Sequence, residues 1–168
     1  MKKMLVVYYS WSFNNTKEIA EMLAEACGAD IARIETVKAY QGSYDEVVSQ
    51  GQKEVDAGFL PKIKAIDKAI ADYDVIAIGT PTWWYTMAPA VHTFLNENDF
   101  SKKTVIPFMT NAGWSGTVIR DMKKECNAEK VLMDQEFTFS SQKNQRTLMM
   151  TEDVVLKKWI QNILNYLQ

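Results

Sequence analysis

Five short runs of apolar and β-branched residues recur along this chain, and segments with helical periodicity fill most of the intervals between them. Runs of this kind are typical of strands that are buried on both faces. Regular alternation of such strands with helices predicts an α/β protein, a doubly wound five-stranded parallel sheet with helices on both faces. The predicted strands are Met4–Tyr9, Ile31–Glu35, Val75–Thr80, Thr104–Thr110 and Val131–Phe139.

Six segments carry a helical pattern, and the last is the clearest because its apolar residues recur at four-residue steps. The chain has 168 residues, of which 47% are hydrophobic, and this is enough to bury one sizeable core. Because no repeat or shift in composition divides it, the sequence predicts one domain over residues 1–168. The predicted helices are Thr16–Cys27, Tyr44–Ala57, Ile63–Ala71, Ala88–Asn96, Thr117–Cys126 and Glu152–Leu167.

Two places fit this alternation less smoothly. Pro107 interrupts the fourth apolar run, and because proline cannot donate a ladder hydrogen bond, we expect a bulge or a locally unpaired position there. The segment Lys38–Pro61 is longer than a crossover between parallel strands needs. It is interpreted either as a lid over a ligand or as a surface excursion.

Charge and cysteine content narrow the classes of function. A net charge of −2 and scattered basic residues argue against a nucleic-acid partner. No apolar stretch reaches the length of a membrane span, so no membrane partner and a cytoplasmic location are expected. Cys27 and Cys126 stand apart without metal-ligand spacing, which fits structural thiols in a reducing compartment, and no metal site is predicted.

A run of hydroxyl and amide side chains, Ser10–Thr16, connects the first strand to the first helix. Such a loop directs free backbone N–H groups and the positive end of the helix dipole at one point, where a phosphate can bind. Asn15 followed three residues later by Glu18 also resembles an ordinary capping box, which would bind nothing. The loop alone leaves both interpretations open.

In doubly wound sheets, ligands bind beyond the carboxyl ends of the strands. Two further loops are predicted to follow strands at this same edge of the sheet. Gly79–Pro89 contains three consecutive aromatic residues, which cannot all point into a core. Thr110–Thr117 contains two glycines and Trp114. A phosphate cradle, an aromatic wall and a glycine-containing turn together suit a planar aromatic ligand with a phosphate tail.

These three motifs resemble those of the flavodoxin-like family, and the resemblance extends over nearly the whole chain. The motifs are Tyr9-Ser-Trp-Ser-x-x-Asn-Thr16, Gly79-Thr-Pro-Thr-Trp-Trp-Tyr85 with Ala88-Pro89, and Thr110-Asn-Ala-Gly-Trp-Ser-Gly116. The resemblance implies a sheet in strand order 2-1-3-4-5 and FMN as the cofactor.

The resemblance also implies roles for individual residues, with no catalytic side chain among them. The phosphate would be held by Ser10, Ser12, Asn15 and Thr16, and the loop would be shaped by Trp11 and Asn14. The ribityl chain and ring would be wrapped by Pro81, Thr82, Trp83, Trp84 and Tyr85. The other side of the ring would be bordered by Asn111, Gly113 and Trp114.

Three functions remain open at this stage. The leading one is a flavodoxin-type electron-transfer protein whose partner is a redox protein or a small-molecule electron acceptor. The second is an NAD(P)H-dependent quinone or flavin oxidoreductase. It is favoured because no glycine stands between Gly79 and Gly113, where the resemblance implies a glycine peptide that turns over on flavin reduction in electron carriers. The third is a cofactor-free regulatory or scaffold module.

Overall fold

A computed structural model describes residues 1–141 and 147–168 of the chain. The strands of this described part are β1 (Met4–Tyr8), β2 (Asp30–Arg33), β3 (Val75–Trp83), β4 (Thr86–Met87), β5 (Thr104–Asn111), β6 (Lys130–Val131) and β7 (Gln135–Thr138). The helices are α1 (Asn15–Cys27), α2 (Tyr44–Asp56), α3 (Pro89–Glu97), α4 (Val118–Glu125) and α5 (Asp153–Leu167). None of the described helices is both long and apolar enough to cross a membrane.

The sheet confirms the predicted fold class. Its strand order is β2-β1-β3-β5-β6, and every pair on this path is parallel. β7 follows β6 along the same side of β5, so these two short strands together are the predicted fifth strand. β4 is a small addition that pairs antiparallel with the end of β3.

Alternate residues of the central strands supply two separate hydrophobic layers. Leu5 and Val7 of β1 belong to the core cluster that includes Phe94 of α3. Met4 and Val6 belong to the opposite cluster, which includes Trp159 of α5. Successive side chains of a strand point to opposite faces, so the continuous apolar run of β1 covers both layers at once.

The predicted helix Ile63–Ala71 is wrong. Ile63 instead forms an antiparallel bridge with Thr36, and the N–H of Lys64 donates to the carbonyl of Glu35 at 2.8 Å. A short 3-10 turn, Ile70–Asp72, follows just before β3. The apolar residues at helical spacing still pack against the core, but the backbone pairs with the segment after β2 instead of with itself.

Pro107 lies in a continuous β5 and remains in register with Ile78 of β3. The carbonyls of Val105 and Asn111 accept hydrogen bonds from Leu132 and Phe139, so the odd-numbered residues of β5 face the outer strand. The outer strand breaks between Val131 and Gln135, beside Pro107. The predicted unpaired position is therefore confirmed, whereas the predicted single strand over 131–139 is wrong because it is interrupted there.

Gly79 offers a direct test of how closely β3 and β5 pack. A Cβ at this position would lie 2.2 Å from Cζ of the buried Phe108. We predict that Gly79→Ala lowers the free energy of unfolding by about 1–3 kcal/mol, measured by urea denaturation, because the core is overpacked. In a Phe108→Leu background the same change is expected to cost less; an equal cost in both backgrounds would contradict the contact.

Candidate functional site

A cavity of about 980 Å³ opens at the carboxyl end of the sheet. The loops that follow β1, β3 and β5 form three of its sides, as expected for the point where the strand order of a doubly wound sheet reverses. The fourth side is the inner face of α2, which contributes Tyr44, Val47, Val48 and Gly51. The segment Lys38–Pro61 therefore contains one wall of the cavity. Of its two interpretations, this position favours a lid over a ligand rather than a surface excursion.

The loop after β1 ends in an unusual backbone conformation. Phe13 and Asn14 have φ angles of 56° and 58°, in the left-handed region. Asparagine tolerates this region better than most residues, whereas a bulky phenylalanine rarely adopts it. The loop thereby turns sharply into α1 and brings its N-terminus to the floor of the cavity, which Asn15 and Thr16 line.

The capping-box interpretation of this loop is wrong. α1 begins at Asn15, its N-cap is Asn14, and the Asn14 side chain makes no capping hydrogen bond to the described residues. The first-turn N–H groups of a helix lack intrahelical acceptors. At α1 these donors and the positive end of the helix dipole lie beside the cavity, an arrangement that favours an anion.

Two contacts join this loop to other parts of the site. The hydroxyls of Thr16 and Thr110 are 2.8 Å apart and buried, so they connect the start of α1 to the end of β5. On the other side, the Thr147 hydroxyl donates to Oδ1 of Asn15. The first contact fixes the relative positions of the first and third loops, and the second joins the start of α1 to the segment that follows β7.

Arg33, at the end of β2, was missed by sequence reasoning. Its guanidinium donates to the backbone carbonyl of Ser10 at 2.8 Å. Because β2 lies beside β1 in the sheet, its carboxyl end reaches the same loop, and the strand order could have indicated this cation. Arg33 places a positive charge next to the loop without lining the cavity.

The three consecutive aromatic residues take two different environments. Trp83 packs inward, with ring centroids 5.0 Å from Tyr40 and 5.9 Å from Tyr9, and its edge lies against Gly51. Trp84 and Tyr85 remain 37% and 59% exposed. The expectation that not all three point into the core is confirmed.

The phenols around Trp83 are neutral hydrogen-bond donors. Burial raises the pKa of Tyr9, and burial together with a hydrogen bond to Glu54 raises the pKa of Tyr40. The Tyr40 hydroxyl donates to Oε2 of Glu54 at 2.6 Å. Tyr9 and Tyr40 do not line the cavity, so they contact Trp83 from outside it.

Trp84 and Tyr85 form the two-residue turn between β3 and β4, and both have positive φ angles, 47° and 68°. A hairpin turn of this kind normally uses asparagine and glycine, since bulky residues are strained in the left-handed region. The Trp84 indole N–H donates to the carbonyl of Val48 at 2.8 Å, which joins the turn to α2.

The third loop presents its polar side chain inward and its aromatic side chain outward. Oδ1 of Asn111 accepts from the N–H of Gly113 at 2.8 Å and from the hydroxyl of Thr138 at 3.2 Å. Gly113 has a φ of 107°, which explains why glycine stands there. Trp114 is 63% exposed at the mouth of the cavity.

Most of the predicted binding residues meet at this cavity. Those that line it are Ser10, Trp11, Ser12, Asn15, Thr16, Pro81, Thr82, Trp83, Trp84, Tyr85, Asn111 and Trp114. Asn14 and Gly113 do not line it and act on loop shape instead. His92 lies elsewhere, where its Nε2 is 2.5 Å from Oε2 of Glu125 in a contact that joins α3 to α4. Whether these residues hold a cofactor stays a prediction.

Several residues line the cavity in addition to the predicted binding residues. They are Phe13, Tyr44, Asp45, Val47, Val48, Gly51, Thr110, Ala112, Ser140, Ser141 and Thr147. Thr110 is the last residue of a predicted strand and directly precedes the predicted binding residue Asn111, so it could have been found. The α2 residues carry no such signal, because the position of α2 depends on packing.

The fold and the site define a class of protein: a doubly wound α/β protein with a helix N-terminus at the floor of a cavity that aromatic residues line. The sequence model of the family described as Flavodoxin matches residues 3–163. The chain belongs to the flavodoxin family.

Solved structures agree with this fold. A candidate flavoprotein from Bacteroides eggerthii is 27% identical, with a TM-score of 0.74 over 97% of this chain and 98% of that one. A second, from Bacteroides uniformis, is 25% identical, with a TM-score of 0.74 over 95% and 98%. A flavoprotein in complex with FMN from Lactobacillus acidophilus is 22% identical, with a TM-score of 0.69 over 81% and 93%.

The buried pair of hydroxyls, Thr16 and Thr110, can be tested in the ligand-free protein. We predict that Thr16→Val lowers the free energy of unfolding by about 1–3 kcal/mol, since it leaves the Thr110 hydroxyl buried without its partner. The double variant with Thr110→Val is expected to lose less than the sum of the two single variants. Strict additivity in chemical denaturation would show that the two hydroxyls do not depend on each other.

Proposed function

We propose that this protein binds FMN in the cavity and uses it to transfer electrons as a flavodoxin-type carrier. The observation that carries this proposal is the N-terminus of α1 at the floor of a cavity with aromatic walls, where no described residue provides a side-chain cap. A phosphate at one end and a planar aromatic ring at the other need these two features together. The FMN-bound Lactobacillus acidophilus protein of the same fold supports the choice of ligand.

The phosphate end of FMN fits the loop Ser10–Thr16. Ser12 is an exposed hydroxyl at the cavity, and the first-turn N–H groups of α1 are the adjacent donors. Arg33 adds a positive charge behind the loop through its hydrogen bond to Ser10. Neutral donors and a helix dipole can hold a phosphate without a direct ion pair.

The ring end of FMN fits the space between the Trp84–Tyr85 turn and Trp114. All three side chains line the cavity and retain exposed surface at its mouth. An aromatic ligand would cover apolar surface that is otherwise in contact with water. Thr82 and Asn111 lie deeper in the same cavity, so they are placed to meet the polar parts of the ligand.

Bound FMN supplies the redox chemistry, and the polypeptide binds it, orients it and controls the access of water. No side chain of this chain needs to act as an acid or a base in that role. The exposed Tyr85 and Trp114 leave one edge of the cavity open, where an electron donor or acceptor can approach.

A second candidate, an FMN-dependent oxidoreductase for a small planar substrate, is favoured by one observation. The carbonyl of Tyr85 accepts a 2.7 Å hydrogen bond from the N–H of Thr117, so it is not free to turn toward a ligand in the cavity. A turn of fixed shape is compatible with an enzyme that has no need to retain a one-electron state.

Ligand titration tests the phosphate assignment. We predict that the ligand-free protein binds FMN more tightly than riboflavin, and that Ser12→Glu weakens FMN binding at least about tenfold through charge repulsion with the phosphate. Riboflavin affinity is expected to change little. Flavin fluorescence quenching measures both constants.

Ser49→Glu is the matched control for this titration, because it adds the same charge to an exposed serine of α2 that does not line the cavity. Its FMN affinity should equal that of the unaltered protein. Equal losses of FMN and riboflavin affinity in Ser12→Glu would argue against a phosphate at the loop. A protein that binds neither flavin would favour the cofactor-free module.

A nicotinamide assay separates the two redox functions. For an electron carrier we predict that FMN-loaded protein, mixed anaerobically with NADH or NADPH, keeps its oxidised visible spectrum and is then bleached by dithionite. Rapid bleaching by either nicotinamide would favour the oxidoreductase and would contradict the carrier.

A further inference from the structure

The Trp84–Tyr85 turn is held from outside the cavity by the backbone before α4 and by Asp121 of α4. Oδ2 of Asp121 accepts hydrogen bonds from the hydroxyls of Thr86 and Thr117, at 2.8 and 2.5 Å. The Thr117 hydroxyl lies near two acceptors, the Tyr85 carbonyl at 3.2 Å and the Asp121 carboxylate at 2.5 Å. Because it has only one proton, we assign that proton to the shorter contact, with Asp121. The backbone N–H of Thr117 therefore holds the Tyr85 carbonyl, while Asp121 holds Thr117 and Thr86 together.

Gly116 fits against the backbone of the same turn. It has a φ of 56°, and a Cβ on it would lie 2.2 Å from the carbonyl oxygen of Tyr85. Any side chain at position 116 must therefore displace the turn or the start of α4. The close approach explains why the third loop has a second glycine.

These contacts matter because the turn is strained. Each bulky residue in a sparsely populated φ region costs on the order of 1–3 kcal/mol, and such residues persist only where their surroundings fix them. The described contacts to Trp84 and Tyr85 come from Val48 on α2 and from Gly116 and Thr117, which directly precede α4. Asp121 acts on the turn indirectly, through its hydrogen bonds from Thr117 and Thr86.

The charge on Asp121 is retained in this setting. Burial acts to raise the pKa of Asp121, but hydrogen bonds from Thr117, Thr86 and Arg120 outweigh it and hold the pKa below its usual range. The carboxylate is therefore ionised at neutral pH, and it accepts both threonine hydroxyls in charge-assisted hydrogen bonds.

We propose that Asp121, with Thr117 and Gly116, is a positioning cluster that sets the shape of the cavity's aromatic wall and thereby the reduction potential of the bound flavin. The proposal rests on FMN binding in the cavity. A wall held against the ring keeps water from it and so disfavours the negative charge that reduction adds. Loosening the wall admits water, so it should weaken binding and raise the potential.

The test compares three variants in the full chain. Asp121→Ala removes the shared acceptor, Asp121→Asn keeps an oxygen that can accept both hydroxyls, and Arg120→Ala removes only the exposed partner of the carboxylate. We expect Asp121→Ala to raise the midpoint potential by about 30 mV or more. That shift corresponds to a tenfold change in relative affinity for oxidised and reduced flavin in a two-electron couple.

The matched variants separate positioning from general stability. Asp121→Asn should recover most of the wild-type potential, and Arg120→Ala should leave it unchanged, because exposed ion pairs contribute little. Gly116→Ala is expected to weaken FMN binding at least tenfold. An Asp121→Ala protein with lowered unfolding free energy but wild-type potential and flavin spectrum would overturn the proposal.

An experiment on the ligand-free protein keeps this test independent of FMN. Hydrogen exchange at the Thr117 amide should accelerate at least tenfold in Asp121→Ala and stay unchanged in Arg120→Ala. Unchanged exchange in Asp121→Ala would overturn the positioning role. Failure of the unaltered protein to bind FMN would instead overturn the proposed function and, with it, the effect on potential.

Discussion

The parallel alignment of β1, β3 and β5, buried on both faces, is the constraint on which the site depends. It brings three loops that are far apart in sequence to one edge of the sheet, and it directs α1 so that its N-terminus meets them. The Thr16–Thr110 contact, which spans 94 residues of sequence, exists only because these strands are neighbours or next neighbours. The site therefore follows from strand order rather than from any local motif.

The cavity combines a rigid floor with strained walls. Its floor is built from helix and strand ends, where the backbone geometry is regular, while Phe13, Asn14, Trp84 and Tyr85 occupy the left-handed region around it. The strain of Trp84 and Tyr85 is balanced by hydrogen bonds to Val48 on α2 and to Thr117, which directly precedes α4. The scaffold that this chain shares with the flavodoxin family thus positions the site, and the conformations of the loops give the cavity its shape.

Sequence patterns predicted the fold well where one physical effect dominated. The apolar run of β1 and the amphipathic α5 were predicted to within a residue or two, and most cavity residues lie in the three predicted loops. The segment from Ile63 to Ala71 was predicted wrongly because helical spacing of isoleucines also suits an irregular segment packed on a core. No sequence pattern indicated that α2 forms one side of the cavity, or that Thr117 and Asp121 hold the turn at Tyr85. Both features arise from tertiary contacts between segments that are distant in sequence.

The break in the outer strand beside Pro107 has a consequence for how the molecule behaves in solution. A long, regular edge strand offers a row of unpaired N–H and C=O groups to which another chain can add. Here that edge is divided into β6, with two residues, and β7, with four, and Met133 between them has a positive φ. The opposite edge, β2, is four residues long and ends in charged side chains, Asp30 and Arg33. Both margins of the sheet are thus poor templates for aggregation by strand addition.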